Sequence, residues 1–321
     1  MFPNAVGNGN TATQNIYNDL WQYSVGNETY PLYALDNGYY PGAPNGKLNR
    51  YFDPQYASLY AWSGVGTSSY HSFQISAHHS GSNGLQLDFS YVLSKSIDLG
   101  SDTERTDFNK GQNFSSIVNA WNIQGNRGVS DFDTTHSVEG NWGYLLPFGR
   151  GAKFASTVNP VVNGLIGGWD FSGLTHWTSG LPFSPVDGLG WSTDWAIQSY
   201  DVLTGPVKSG GHRIINGQPN AFKSQATALS NIRPAYAGET GQRNAFRGDG
   251  YLSIDASLAK TFPIMQKQAL KFQWDVFNTT NAVRFDPASV QNNPFSAGSF
   301  GVYSRTLVES RKMQLSLRYS F

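Results

Sequence analysis

Cysteine is absent from the 321 residues, which removes disulfides, thiolate metal ligands and cysteine nucleophiles together. Charge is scarce at 14%, and 22 Lys and Arg balance 22 Asp and Glu, so no global field would hold nucleic acid. No run approaches the roughly 18 consecutive apolar residues of a spanning helix, and the mean hydropathy is -0.39. Neither fact bears on a transmembrane β-barrel, which exposes apolar side chains only at every second position and so hides its hydrophobicity from averages. The start, Met1-Phe2-Pro3-Asn4-Ala5, has neither a basic nor an apolar leader segment, so any export signal is expected elsewhere.

Signatures of chemistry are missing as well. The histidines, His71, His78, His79, His136, His176 and His212, have no partners at zinc-ligand spacing. Asp98, Asp102, Glu104 and Asp107 share one loop without the register of a calcium-binding loop, and they are expected to be solvated, as are Asp131 and Asp133. Gly64-Val65-Gly66 and Gly188-Leu189-Gly190 lack the following residues of a phosphate cradle and are expected to be turns. No G-x-S-x-G nucleophile elbow occurs. The expectation is a protein with no catalytic residue, no resident metal and no cofactor.

Aromatics make up 14% of the chain and there are 35 glycines, a balance that favours β-structure. Alternation with period two appears in seven places. Phe73, Ile75 and Ala77 alternate with Ser72, Gln74 and Ser76, and Leu85-Gln86-Leu87-Asp88-Phe89-Ser90-Tyr91-Val92-Leu93 follows a turn over residues 80–84. Val138, Gly140, Trp142 and Tyr144 mark a third strand, and Trp169, Phe171, Gly173, Thr175 and Trp177 a fourth. Leu252, Ile254, Ala256 and Leu258 pair with Leu270, Phe272, Trp274 and Val276 as a second hairpin. Met313, Leu315, Leu317, Tyr319 and Phe321 form the last strand. In these segments the apolar face carries no charge, while Asp88, Glu139, Asp170, Asp255, Lys271, Asp275, Lys312 and Arg318 share the opposite face.

Three features favour a barrel in lipid over a soluble sandwich. The strands are longer than the average of about 5–6 residues. Eight steps from Trp169 to Trp177 cover about 26 Å, or roughly 20 Å along the normal of a tilted strand, near the ~25 Å lipid band. Connections alternate between short (residues 80–84, 260–267 and, more loosely, 145–165) and long (96–132, 179–247 and 279–303), so that with a periplasmic C-terminus every long loop is extracellular. Finally, Met313, Leu315, Leu317, Tyr319 and the terminal Phe321 resemble the signal read by the outer-membrane barrel-assembly machinery.

Several stretches resemble the C-terminal barrel region of Oar-like TonB-dependent transporters. They are Pro54-Gln55-Tyr56-Ala57-Ser58-Leu59-Tyr60-Ala61-Trp62, Tyr70-His71-Ser72-Phe73-Gln74, Leu87-Asp88-Phe89-Ser90-Tyr91-Val92-Leu93-Ser94-Lys95-Ser96-Ile97-Asp98, Gly168-Trp169-Asp170-Phe171-Ser172-Gly173, Thr178-Ser179-Gly180-Leu181-Pro182-Phe183, Asn244-Ala245-Phe246-Arg247-Gly248-Asp249-Gly250-Tyr251 and Asp275-Val276-Phe277-Asn278. The resemblance implies a barrel of about 22 strands whose lumen is closed by a plug. It also implies a seat in the outer membrane of a Gram-negative cell and energy supplied through TonB. Against that pattern the chain shows seven strands and no plug, and it is expected to be the C-terminal part of an incomplete barrel, inactive in transport by itself.

Residues 1–69 are then expected to be an extracellular-loop-like segment and residues 70–321 the strands. The expected partners are outer-membrane lipid, the assembly machinery, the missing plug and strands, the TonB complex through them, and an unidentified solute. Two other readings stay open: an all-β surface module such as a carbohydrate-binding sandwich, and a barrel enzyme. Within the longest loop Trp191, Trp195 and Tyr200 are candidate ligand contacts, because aromatic faces stack on sugars and apolar ligands.

Overall fold

The computed structural model describes residues 64–81, 84–101, 117–119, 122–191, 194–233, 235, 239–265 and 268–321, and only the main chain of 187–191 and 194–199. Seven long strands make one antiparallel meander: β1 (Ser68–Ser80), β2 (Leu85–Asp98), β3 (His136–Leu145), β4 (Trp169–Thr178), β5 (Tyr251–Met265), β6 (Gln268–Phe277) and β7 (Lys312–Ser320). Each neighbours the next in chain order, and a two-residue strand, Gly128–Val129, extends the end of β2. Among the described residues β1 pairs only with β2 and β7 only with β6, so the sheet has two open edges.

Register explains why the alternation is so clean. Pairing aligns Leu85, Tyr144, Phe171, Leu258, Trp274 and Leu315 in one row, and Gln86, Gly143, Ser172, Ser257, Asp275 and Gln314 in the adjacent row on the other face. A slip of one residue anywhere would exchange the two faces, so the sequence pattern specifies the pairing strongly. The apolar face stays open: Leu87, Phe89, Leu93, Met313, Leu315 and Leu317 are exposed. The other sheets among the described residues are two-stranded pieces within the loops, and none supplies the second layer a carbohydrate-binding sandwich would need.

Glycine is required at two places in this sheet. Gly84, at φ 76°, closes the β1–β2 turn. Gly173 lies opposite Trp142, and a Cβ there would stand 2.3 Å from the indole, so the bare backbone lets Trp142 lie across β4 and reach Phe171 at 4.5 Å between ring centroids. Pro263, which donates no ladder hydrogen bond, sits beside a register shift at the end of β5.

The strands overrun their sequence-based limits. β5 continues to Met265, which narrows the expected 260–267 turn and puts Lys260 on the apolar face, opposite Trp169 and Phe272. That face therefore carries two cations, Lys260 and, opposite His71 near the end of β2, the exposed Lys95. Lys260 is only 5% exposed because its ammonium donates to the Gly164 carbonyl at 2.6 Å and lies over the rings of Trp169 and Phe262.

The largest difference concerns the long loops. The described parts of residues 99–135, 179–250 and 278–311 come off one end of the sheet, as the alternation of connections requires, but they are not structureless. They hold the apolar core of the molecule, with Phe183, Phe222, Phe246, Phe300 and Tyr303 packed together. Phe222 touches Phe300 in a stacked contact at 4.9 Å and Phe246 edge-on at 5.0 Å. Gly188 and Gly190, expected in a turn, lie on a strand, Val186–Trp191, paired with Asp194–Tyr200.

Candidate functional site

Two features stand out: a polar trough on the inner face of the sheet, reaching the short-turn ends of β2, β3 and β4, and a folded cap made by the long loops at the other end. The trough has a volume of about 1010 Å³ and is lined by Asp88, Asn141, Asp170, Ser172, Asp255 and Asp275, among others. Strand parity alone brings these side chains together, since register sets Asp88 beside Asn141, Asn141 beside Leu174, and Leu174 beside Asp255. Local partners hold the carboxylates: His78 pairs with Asp88, Ser253 donates to Asp255 at 2.9 Å, and Gln273 donates to Asp275 at 2.9 Å. Lys271, Lys312 and Arg318 occupy the same face on β6 and β7. The wall is thus acidic over β2 to β5 and basic at one edge, an arrangement that attracts cations to its middle.

The cap is fastened to the strand ends by buried ion pairs. Asp98 ends β2, and its carboxylate meets Arg243 at 2.7 Å; the same guanidinium reaches Asp131 at 3.1 Å and Ser101 Oγ at 2.8 Å. Burial alone would lower the Arg243 pKa, but Asp131, Tyr200 and Asp98 more than offset it and hold the guanidinium above its usual value. Asp133, just ahead of β3, pairs with Arg247 and accepts from Ser96 N at 2.6 Å. Asp249, just ahead of β5, accepts from His212 at 2.7 Å and lies 3.3 Å from Arg284. Asp98, Asp131 and Asp133 are therefore not the solvated loop charges their composition suggested: their partners lie more than a hundred residues away in sequence. Asp102, Glu104 and Asp107 fall outside the described residues.

The candidate ligand contacts fare unequally. The main chains of Trp191 and Trp195 lie on the hairpin of the longest loop, close to each other in sequence and pairing; their side chains fall outside the described residues. Tyr200 does not face solvent. It is 3% exposed and packs with Val118 and Val186, and burial raises its phenol well above the usual range. This aromatic serves the loop's own core, which composition could not distinguish from a ligand contact. The terminal set Met313, Leu315, Leu317, Tyr319 and Phe321 stands exposed on one side of β7. Among the described residues no group of three His, Asp or Glu is placed to hold a metal ion.

Comparison with known proteins accords with this geometry. No curated protein matches the chain, and no solved structure matches it. The family model of the outer membrane beta barrel domain matches residues 7–314, a span that takes in all of β1 to β6 and the cap. The one-layer antiparallel meander, apolar on one face and polar on the other, is in keeping with that match, and the chain belongs to the outer membrane beta barrel domain family.

Proposed function

We propose that the chain is the C-terminal wall of a TonB-dependent transporter of a Gram-negative outer membrane, taking up a solute through the polar trough. The observation that carries this reading is the open-edged meander with an exposed apolar face. Two open edges and a single unshielded layer are stable only when further strands close the barrel and lipid covers the outside. In this reading a plug and the remaining strands belong to the same barrel, the terminal set ending in Phe321 addresses the assembly machinery, and the folded cap guards the mouth. The acidic wall favours solutes carrying positive charge or many hydroxyls over anions. In this reading the chain contributes to solute passage only within the intact barrel, does not transport by itself, and catalyses no reaction.

The test is genetic. A strain lacking the whole reading frame and a strain lacking TonB should fail on the same scarce nutrient in a panel of iron chelates, oligosaccharides and peptides. Normal growth of the deletion strain across the panel, with the wild-type protein fractionating in the outer membrane, would refute transport while leaving the barrel intact. Recovery of the protein as a soluble periplasmic monomer would refute the barrel as well.

A further inference from the structure

The connection between β3 and β4, residues 146–168, is far longer than a periplasmic turn needs, and it is folded. Its short helix α1 (Pro160–Ile166) begins with Asn159 accepting from Val162 N at 2.9 Å. Asn163, the polar residue within the helix, turns inward and accepts from Arg150 N at 2.6 Å. The apolar ridge turns outward: Val161 is 76% exposed and Leu165, one turn on, is 68% exposed. No residue of α1 is buried. A helix of a water-soluble domain has the opposite polarity.

The position of this inverted helix is fixed from the apolar side of the sheet. Its last carbonyls, which have no partner within a helix, accept from two side chains of that face, Lys260 Nζ to Gly164 O and Trp169 Nε1 to Leu165 O at 2.9 Å. Exposed Phe148 and Phe154, with ring centroids 5.6 Å apart, extend the apolar surface, and Lys153 lies over Phe154. Arg150 and Lys153 are both exposed. The patch is thus continuous with the exposed strand face and is edged by cations.

We propose that residues 146–168 form a membrane-surface anchor that seats α1, Phe148 and Phe154 in the periplasmic leaflet, with Arg150 and Lys153 meeting the phosphates of anionic phospholipid. The inference rests on the barrel reading, since lipid must already cover the strands beside it. An interfacial helix places its apolar side roughly 5–10 Å into the headgroup boundary while cations stay at the phosphates. Lys260 acts differently from those two cations, because its ammonium is held by the helix carbonyl and so docks α1 to the barrel wall.

The absence of cysteine makes the test direct. Single-cysteine variants Val161→Cys, Leu315→Cys and Thr306→Cys of the full chain, in its parent barrel where one exists, carry an environment-sensitive fluorophore in vesicles of phosphatidylcholine with phosphatidylglycerol. The label at 161 should be quenched by lipids brominated near the headgroup, and quenched by aqueous iodide several-fold less than the label at 306. Adding Arg150→Gln and Lys153→Gln should reduce the lipid quenching at 161, as should omitting phosphatidylglycerol. If iodide quenches 161 as strongly as 306 while brominated chains quench 315, the anchor is overturned and the barrel stands. Protection of 161 from both quenchers would assign the patch to a protein partner and overturn the proposal equally. Failure of brominated chains to quench 315 would remove the barrel reading, and the anchor with it.

Discussion

Replacing Arg243 by Met removes a guanidinium whose side chain is 1% exposed and which lies within 3.1 Å of two carboxylates, Asp98 and Asp131. The methionine fills much of the same volume, so the loss is electrostatic more than steric. It strands two acids against each other near the end of β2, removes the Arg243 donor from the carbonyls of Asp98 and Asn126, and leaves Ser101 Oγ with Asp131 N alone as donor. Breaking a buried pair in this way costs about 3–5 kcal/mol, because the charge left behind is uncompensated. Arg305 offers the contrast: it pairs with Asp286, but its side chain is 61% exposed, and Arg305→Met should cost below about 1 kcal/mol. Hydrogen exchange reads the difference at Gly248 N, which donates to Leu181 O within the cap. Opening there should rise by roughly two to four powers of ten in Arg243→Met, with the amides in the middle of β4 unchanged. Adding Asp98→Asn to Arg243→Met should restore part of the protection, since one stranded charge is gone. Equal protection in wild type and Arg243→Met, or equal effects of Arg243→Met and Arg305→Met, would refute the argument that the ion pair latches the cap.

Other parts of the molecule make their own demands. Leu315→Arg puts a charge on the exposed apolar face and should cost roughly 2–4 kcal/mol in membrane stability, measured by denaturant titration in lipid, whereas Ser316→Arg on the polar face should cost much less; equal costs would contradict the assignment of faces. Gly173→Val should destabilise by about 1–3 kcal/mol or more, because a Cβ meets both Trp142 and the Asp255 carbonyl, at 2.6 Å for the latter, and an unchanged melting point would mean that the Trp142 ring moves freely. Burial raises the phenols of both Tyr200 and Tyr303, so the folded cap keeps their protons above pH ~10, where unfolded tyrosine ionises; cap stability should be level below that pH and fall as pH rises through it. Phenolate absorbance should show two tyrosines silent until the cap opens, and a Tyr200→Phe, Tyr303→Phe variant with the same alkaline loss would exclude them as the cause. Replacing Trp191 and Trp195 together by Ala in a correctly inserted parent should weaken solute binding to cells about tenfold or more if each indole contributes on the order of 1 kcal/mol, and unaltered affinity would leave that hairpin as a shield.

Most of the sheet was legible because each spanning strand meets two different surroundings. Alternation is the direct imprint of that difference, so Leu85 to Leu93 or Met313 to Phe321 announce strand, face and neighbour at once. The limits of the strands were not legible for the same reason: where a side chain departs from the rule, the pattern stops although the ladder goes on. Lys260 is the clearest instance. A charge at an apolar position reads as the strand's end, yet its partner is a helix carbonyl 96 residues away in sequence, which no local window contains. The same distance hid α1, since the connection expected over 145–165 contains no sign of the Lys260 contact that docks it.

The candidate site was legible in proportion to how local it is. The trough follows from parity, so Asp88, Asp170, Asp255 and Asp275 could be assigned to one face from alternation alone. The cap depends on contacts across 112 to 145 residues, such as Arg243 with Asp131 and Arg243 with the Asp98 carbonyl, and composition alone made its acids appear solvated. A rule is nonetheless visible in where those acids stand. Asp98 closes β2, Asp133 precedes β3 and Asp249 precedes β5, so each marks a junction between a strand and a loop; Asp98 and Asp133 receive Arg243 and Arg247 from the one stretch ahead of β5, and Asp249 receives His212 and Arg284 from two others. A barrel rim needs such junctions to be rigid, because the sheet's ladder of hydrogen bonds ends there and loops of this length would otherwise fray. The carboxylates therefore tie the cap to the strands that line the trough, and any solute that moves the cap must first break or strain those pairs.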